Sequence, residues 1–132
     1  MSNRVVSGSS LARVELAVGL TVPPSVLKYR PTGDLVVVVV APAEERTAGG
    51  IVKTEATRRA EEGGAGFIIS IGPDVGERLA EAAGTIDVLG LPVVWGRYAG
   101  EGLMVYDIEE EHRTRFRILD EAKILLVEPP LP

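Results

Sequence analysis

The sequence predicts an all-β fold, a small barrel or sandwich of short strands. Three observations lead there. Runs rich in Val, Ile and Leu recur at close spacing along the 132 residues, separated by turn-forming clusters. Fifteen glycines and nine prolines, against one Trp, three Tyr and two Phe, favour many turns around an aliphatic core. The segment 41–66 shows neither strand alternation nor an apolar stripe long enough for a core helix. It therefore reads as one long loop, and loops of that length in a compact domain are usually functional or disordered.

Taken in order, Met1 to Lys28 reads as an N-terminal extension. Ser7-Gly8-Ser9-Ser10 is flexible in composition. Leu11, Val14, Leu16, Val18 and Leu20 then give a partly alternating pattern that suits one strand, which Pro23-Pro24 would end. Such an arm either packs on its own domain, frays in solvent, or reaches a neighbouring subunit. The barrel domain is placed at residues 29–132. Arg30-Pro31-Thr32-Gly33-Asp34 is a turn by composition, and Leu35 to Val40 follows as the clearest strand. Its five consecutive valines make both faces apolar, so both should be buried.

Beyond the loop, Gly66 to Gly72 forms a second strand. Gly76 to Gly90 contains Glu77 to Ala83, good helix formers in a piece too short to be stable alone, and reads as an excursion with one helical turn. Strands are then expected over Leu91–Trp95, Leu103–Ile108, Arg113–Leu119 and Lys123–Glu128. Gly96 to Gly100 and Glu109 to His112 form the turns between them.

The totals exclude several functions. A net charge of −5 argues against general nucleic-acid or anionic-membrane binding. With no cysteine there are no disulfides, thiolate nucleophiles or zinc–thiolate sites. The longest apolar run, Leu35 to Pro42, falls far short of the roughly 18 residues of a membrane span. Arg13 and Glu15 interrupt any secretory signal. The expectation is a soluble, cytoplasmic protein.

Candidate chemistry is sparse. His112 stands in a charged turn without a marked nucleophile or a second histidine for a metal. Glu109-Glu110-Glu111 would alternate between opposite faces of an extended segment. Arg113, Arg115 and Arg117 share one strand face beside Phe116, as a phosphate-binding patch would. The preceding glutamates, however, would stand opposite and neutralise them. Gly63-Gly64-Ala65-Gly66 precedes a strand and lacks the Lys-Ser/Thr of a phosphate-binding loop. No catalytic residue, metal site or cofactor is expected.

One stretch is different. In the polar segment, Arg46-Thr47-Ala48-Gly49-Gly50-Ile51-Val52-Lys53 sets two aliphatic side chains directly after two glycines. The glycines free the backbone to bend, and the charges on both sides make packing onto the barrel awkward. The pattern reads as a hook for a partner.

Taken together, these segments resemble the GroES family of co-chaperonins. Arg30 to Asp34 with its valine strand is similar to the family's opening Arg-Pro-x-x-Asp strand. Glu45 to Val52 resembles its mobile loop, and Phe67 to Gly72 its Val-x-x-Val-Gly strand. Gly96-Arg97-Tyr98-Ala99-Gly100 looks like its Gly-Lys-Tyr-Ala-Gly turn. Phe116 to Leu119 with Lys123 to Glu128 resembles its C-terminal strands. The resemblance covers about Lys28 to Glu128, in order.

It implies a β-barrel protomer, a heptameric ring, and capping of a GroEL-type chaperonin that itself binds the ATP or ADP. By match, Ile51 and Val52 would be the docking anchors, Gly49 and Gly50 would set the bend, and Lys53 would occupy the third position of the docking tripeptide. That position is normally aliphatic. The region of the family's roof hairpin, Gly72 to Gly90, is Ala-rich, and residues 1–27 have no family counterpart. A diverged, even viral, co-chaperonin working in a host cytoplasm fits this pattern. The alternative is a structural component, such as a virion-surface protein, built on the same barrel. An enzyme related to the zinc alcohol dehydrogenases does not fit, because the Cys/His zinc ligands and a nucleotide-binding domain are missing.

Overall fold

A computed structural model describes residues 4–41, 64–96, 100–102 and 115–130. The expected all-β fold holds. Its body is one six-stranded antiparallel sheet of β1 (Leu35–Val40), β2 (Gly64–Ile71), β3 (Pro92–Trp95), β4 (Glu101–Gly102), β5 (Phe116–Asp120) and β6 (Ile124–Val127). The spatial order is β4-β5-β1-β2-β3-β6. Among the described residues no ladder joins β4 to β6 at the two ends. The strand expected over Leu103–Ile108 lies outside the described residues.

Both faces of β1 are buried, as its valine run requires: Val36, Val37, Val38 and Val39 are all inaccessible. The strand pairs with β2 on one side, Val36 with Ile71 through Val40 with Gly66, and with β5 on the other, Leu35 with Asp120 through Val39 with Phe116. Val36–Val40 does not supply an edge for pairing with a neighbouring subunit, because both its edges are already used. Among the described residues β6 forms one end of the sheet and pairs only with β3.

Opposite Val37 and Val38 the β1–β2 register slips by one residue, leaving Ile69 as the extra residue of a bulge. The Ile69 carbonyl accepts a hydrogen bond from the Val6 N–H at 2.8 Å, and the Ile71 N–H donates to the Arg4 carbonyl at 2.9 Å. The N-terminal segment thus takes the part of the β2 edge that the short β3 leaves open.

Residues 8–18 are a helix, α1 (Gly8–Val18), and not the strand that the alternation suggested. Leu11, Val14 and Val18 also lie at helical spacing, and that pattern wins. Val14 and Val18 are buried, whereas Leu16, which a strand would have placed on their face, is 84 % exposed. Gly19 ends the helix in the left-handed region at φ 71°, its N–H donating to the Glu15 carbonyl. After a second short helix, α2 (Pro24–Lys28), the chain enters the sheet. Val6, Val14, Val18, Val22 and Val26 share one core with Ile68, Ile69, Trp95, Phe116 and Leu119 of the strands.

The Ala-rich excursion carries α3 (Glu77–Ala83), two turns where one was expected. Leu79 and Ala83 anchor it in the core. Its N-terminus is satisfied from a distance: the Leu79 N–H donates to Oε1 of Glu121 at 3.3 Å, in the 3-10 turn before β6.

Candidate functional site

The hook residues Gly49, Gly50, Ile51, Val52 and Lys53 lie outside the described residues. The structure describes the root from which they depart. The last β1–β2 pair is Val40 with Gly66, and the Ala41 N–H donates to the Ala65 carbonyl at 2.8 Å. Residues 42–63 therefore leave and re-enter the sheet at adjacent strand ends. The β1–β2 ladder supplies the closure that a long insertion needs, so the segment does not have to pack in order to be tolerated.

The returning strand is pressed close to its neighbours. Trp95, fully buried, lies against Gly64 and Gly66. A Cβ on Gly64 would overlap the face of the indole ring, and one on Gly66 would overlap the Val39 carbonyl oxygen. Here the glycines are required by close approach of backbone and ring, not by unusual dihedral angles. In the sequence, Gly64 and Gly66 stand out only as part of a glycine cluster that lacks the features of a phosphate loop. Their alternate spacing at the start of a strand, with a single tryptophan in the chain, was the available signal.

Arg115 fixes the other side of the root. Its backbone carbonyl accepts from the Val40 N–H at 2.7 Å. Its Nη2 donates to the Val40 carbonyl at 3.3 Å and to the Val18 carbonyl, in the last turn of α1, at 3.1 Å. Nη2 of Arg117 donates to the Gly100 carbonyl at 3.1 Å. The arginines expected on one face, of which Arg113 lies outside the described residues, thus direct these guanidinium N–H groups at main-chain carbonyls. Phe116 between them is completely buried.

Beside the root an open apolar groove of about 560 Å³ runs toward β6, lined among others by Ala41, Ala65, Phe67, Val93 and Leu126. On β6, Leu125 and Leu126 are 46 % and 50 % exposed. Among the described residues no group of three or more His, Asp or Glu side chains is placed to hold a metal ion. No helix among them is long and apolar enough to cross a membrane. His112 and the glutamates before it lie outside the described residues.

A sheet with a long insertion rooted between its first two strands is what the resemblance implies, and comparison with known proteins decides the matter. The model of the family described as the chaperonin 10 kDa subunit matches residues 28–127. The chain belongs to this co-chaperonin family. It is similar to the co-chaperonin GroES of Pseudomonas fluorescens, with 32 % identity over 101 residues, 76 % of this chain and 97 % of that protein. To the co-chaperonin GroES 1 of Rhodopirellula baltica the identity is 34 % over 103 residues, 75 % of this chain and 90 % of the relative. A match to the chloroplastic 20 kDa chaperonin of Arabidopsis thaliana has 32 % identity over 83 residues, 63 % of this chain but 32 % of that longer protein. The chain thus spans about a third of the plant protein and nearly all of the bacterial ones. The family is a non-catalytic one, and membership in it implies partnership with a GroEL-type chaperonin. The matched stretch contains the loop root and all six strands, while α1 precedes it.

Proposed function

We propose that this co-chaperonin assembles into a seven-membered ring and caps a GroEL-type chaperonin in the cytoplasm, assisting protein folding driven by the partner's ATP. The observation that carries the reading is the family match across residues 28–127, which includes the whole insertion and both strands that root it. Residues 29–132 form the ring-building barrel in this reading, and residues 1–28 are an extension carried with it. Gly49 and Gly50 set the bend of the insertion. Ile51 and Val52 enter an apolar groove of the chaperonin, and Lys53 lays its alkyl stem beside them with the ammonium reaching water.

Burial of one aliphatic side chain contributes about 1.5–3 kcal/mol. A lysine in the third position therefore weakens each docking event, and seven linked loops compensate through avidity. Pull-down with a GroEL-type chaperonin in the presence of ATP or ADP tests the reading. Capture of the wild type, tightened by about tenfold per loop in Lys53→Leu if ~1.4 kcal/mol is recovered, supports it. Ile51→Asp abolishes capture, since it carries an unpaired carboxylate into an apolar site. If the wild type and Lys53→Leu both ignore every chaperonin offered, the barrel serves as a structural component instead. Lys53 and the extension are the features consistent with that outcome.

A further inference from the structure

We propose that the N-terminal segment, acting through Arg115, is a brace that holds the root of the 42–63 insertion in place. One nitrogen of Arg115 donates to two carbonyls from different parts of the chain. These are Val18 O at 3.1 Å, in the last turn of α1, and Val40 O at 3.3 Å, at the last residue of β1. The Val40 N–H closes the grip from the other side by donating to the Arg115 carbonyl at 2.7 Å. The next residue, Ala41, makes the last described β1–β2 hydrogen bond before the insertion.

The chemistry suits the task. Carbonyls in the final turn of a helix have no partner within the helix and carry the negative end of its dipole, so a guanidinium is favoured there. Nη2 carries two N–H groups, one for each carbonyl, and the planar guanidinium fixes the direction of both, which a freely rotating lysine ammonium would not.

The far end of the brace is anchored independently of Arg115. Val14 and Val18 are fully buried, and Val6 is hydrogen-bonded to the Ile69 carbonyl. Behind α1, the Glu15 carboxylate accepts from the Val22 N–H at 2.6 Å and ties the chain beyond Gly19 back onto the helix. Displacement of α1 therefore pulls on the same nitrogen that holds Val40. The stretch matched by the family begins after α1, so this chain adds a part that positions the root. Arg115 is a positioning residue in this account.

Amide hydrogen exchange on the intact chain tests the brace without any chaperonin, so its outcome is separate from that of the docking experiments. The Ala41 amide reports the root. The Ile68 amide, bonded to the Leu91 carbonyl within the core, is the internal reference. Arg115→Ala is expected to speed exchange at Ala41 about tenfold while leaving Ile68 unchanged. Arg115→Lys, the variant to use should the alanine not fold, gives a smaller change in the same direction. Glu15→Ala, which frees the chain behind α1, is expected to speed Ala41 a few-fold in the wild-type background and to add nothing once Arg115 is gone. The brace is overturned if the Glu15→Ala effect is the same with and without Arg115. It is equally overturned if Ala41 and Ile68 accelerate together, or if Ala41 does not respond.

Discussion

A methyl group on Gly66 would meet the Val39 carbonyl oxygen, a backbone atom that cannot swing aside as a side chain can. Gly66→Ala is therefore expected to cost about 1–3 kcal/mol in urea unfolding and to shift the emission of Trp95, which packs on the same strand. Ser70 gives the opposite case. It is fully buried beside the bulge, and its hydroxyl has no hydrogen-bond partner among the described residues. Ser70→Ala is expected to leave stability unchanged or raise it by up to about 1 kcal/mol, as relief of an unmade hydrogen bond requires. A loss of about 2 kcal/mol instead would mean that the hydroxyl is satisfied by a residue outside those described. Neither role was legible in the sequence. Gly66 is critical because Trp95 and Val39 converge on it from two other strands, and Ser70 is buried where the N-terminal segment pairs with β2 through Val5. Arg115 was legible only as one member of a charged stripe, since the carbonyls it binds lie in α1 and at the end of β1.

The strand β1 could be read directly, because five valines in succession admit no exposed face wherever the strand lies. Its central position could not be read, since the pattern says that both faces are covered and nothing about the edges. The helix α1 was misread for a physical reason: Val14 and Val18 fit both periods, and only Leu11 and Leu16 distinguish them. The helical assignment makes a direct prediction. Leu16→Lys should change stability by no more than about 0.5 kcal/mol, whereas Val18→Ala should cost about 1–3 kcal/mol. Equal losses at both positions in thermal unfolding would restore the strand. Helix α3 was underestimated because its supports are distant. Leu79 and Ala83 reach the core, and Glu121, remote in sequence, reaches back to the Leu79 N–H. A local reading of Glu77 to Ala83 sees good helix formers in too short a piece and misses both supports.

At the scale of the whole molecule, the proposed ring needs a surface that the protomer leaves unfinished, and of the two described end strands β6 offers an apolar one. Among the described residues it ends the sheet with a single partner, and Leu125 and Leu126 are half exposed along it. An edge strand with apolar side chains is a liability in a monomer and a ready contact in an assembly. Leu126→Glu separates the two cases. Because the side chain is half exposed, a carboxylate there costs the isolated protomer little, and Trp95 emission should stay as in the wild type. In a ring the same substitution would bury an unpaired charge at every subunit contact, which is prohibitive. Mass measurement in solution at micromolar concentration is expected to find the wild type as a seven-subunit species and Leu126→Glu as a folded monomer. The monomer should also lose chaperonin affinity by roughly 10²–10⁴-fold, because its single loop no longer benefits from linkage to six others. Adding Lys53→Leu to that monomer should recover about tenfold of the loss, the per-loop gain seen without avidity. A wild type that is monomeric under these conditions removes the ring, and a Leu126→Glu protein that still assembles moves the contact away from β6.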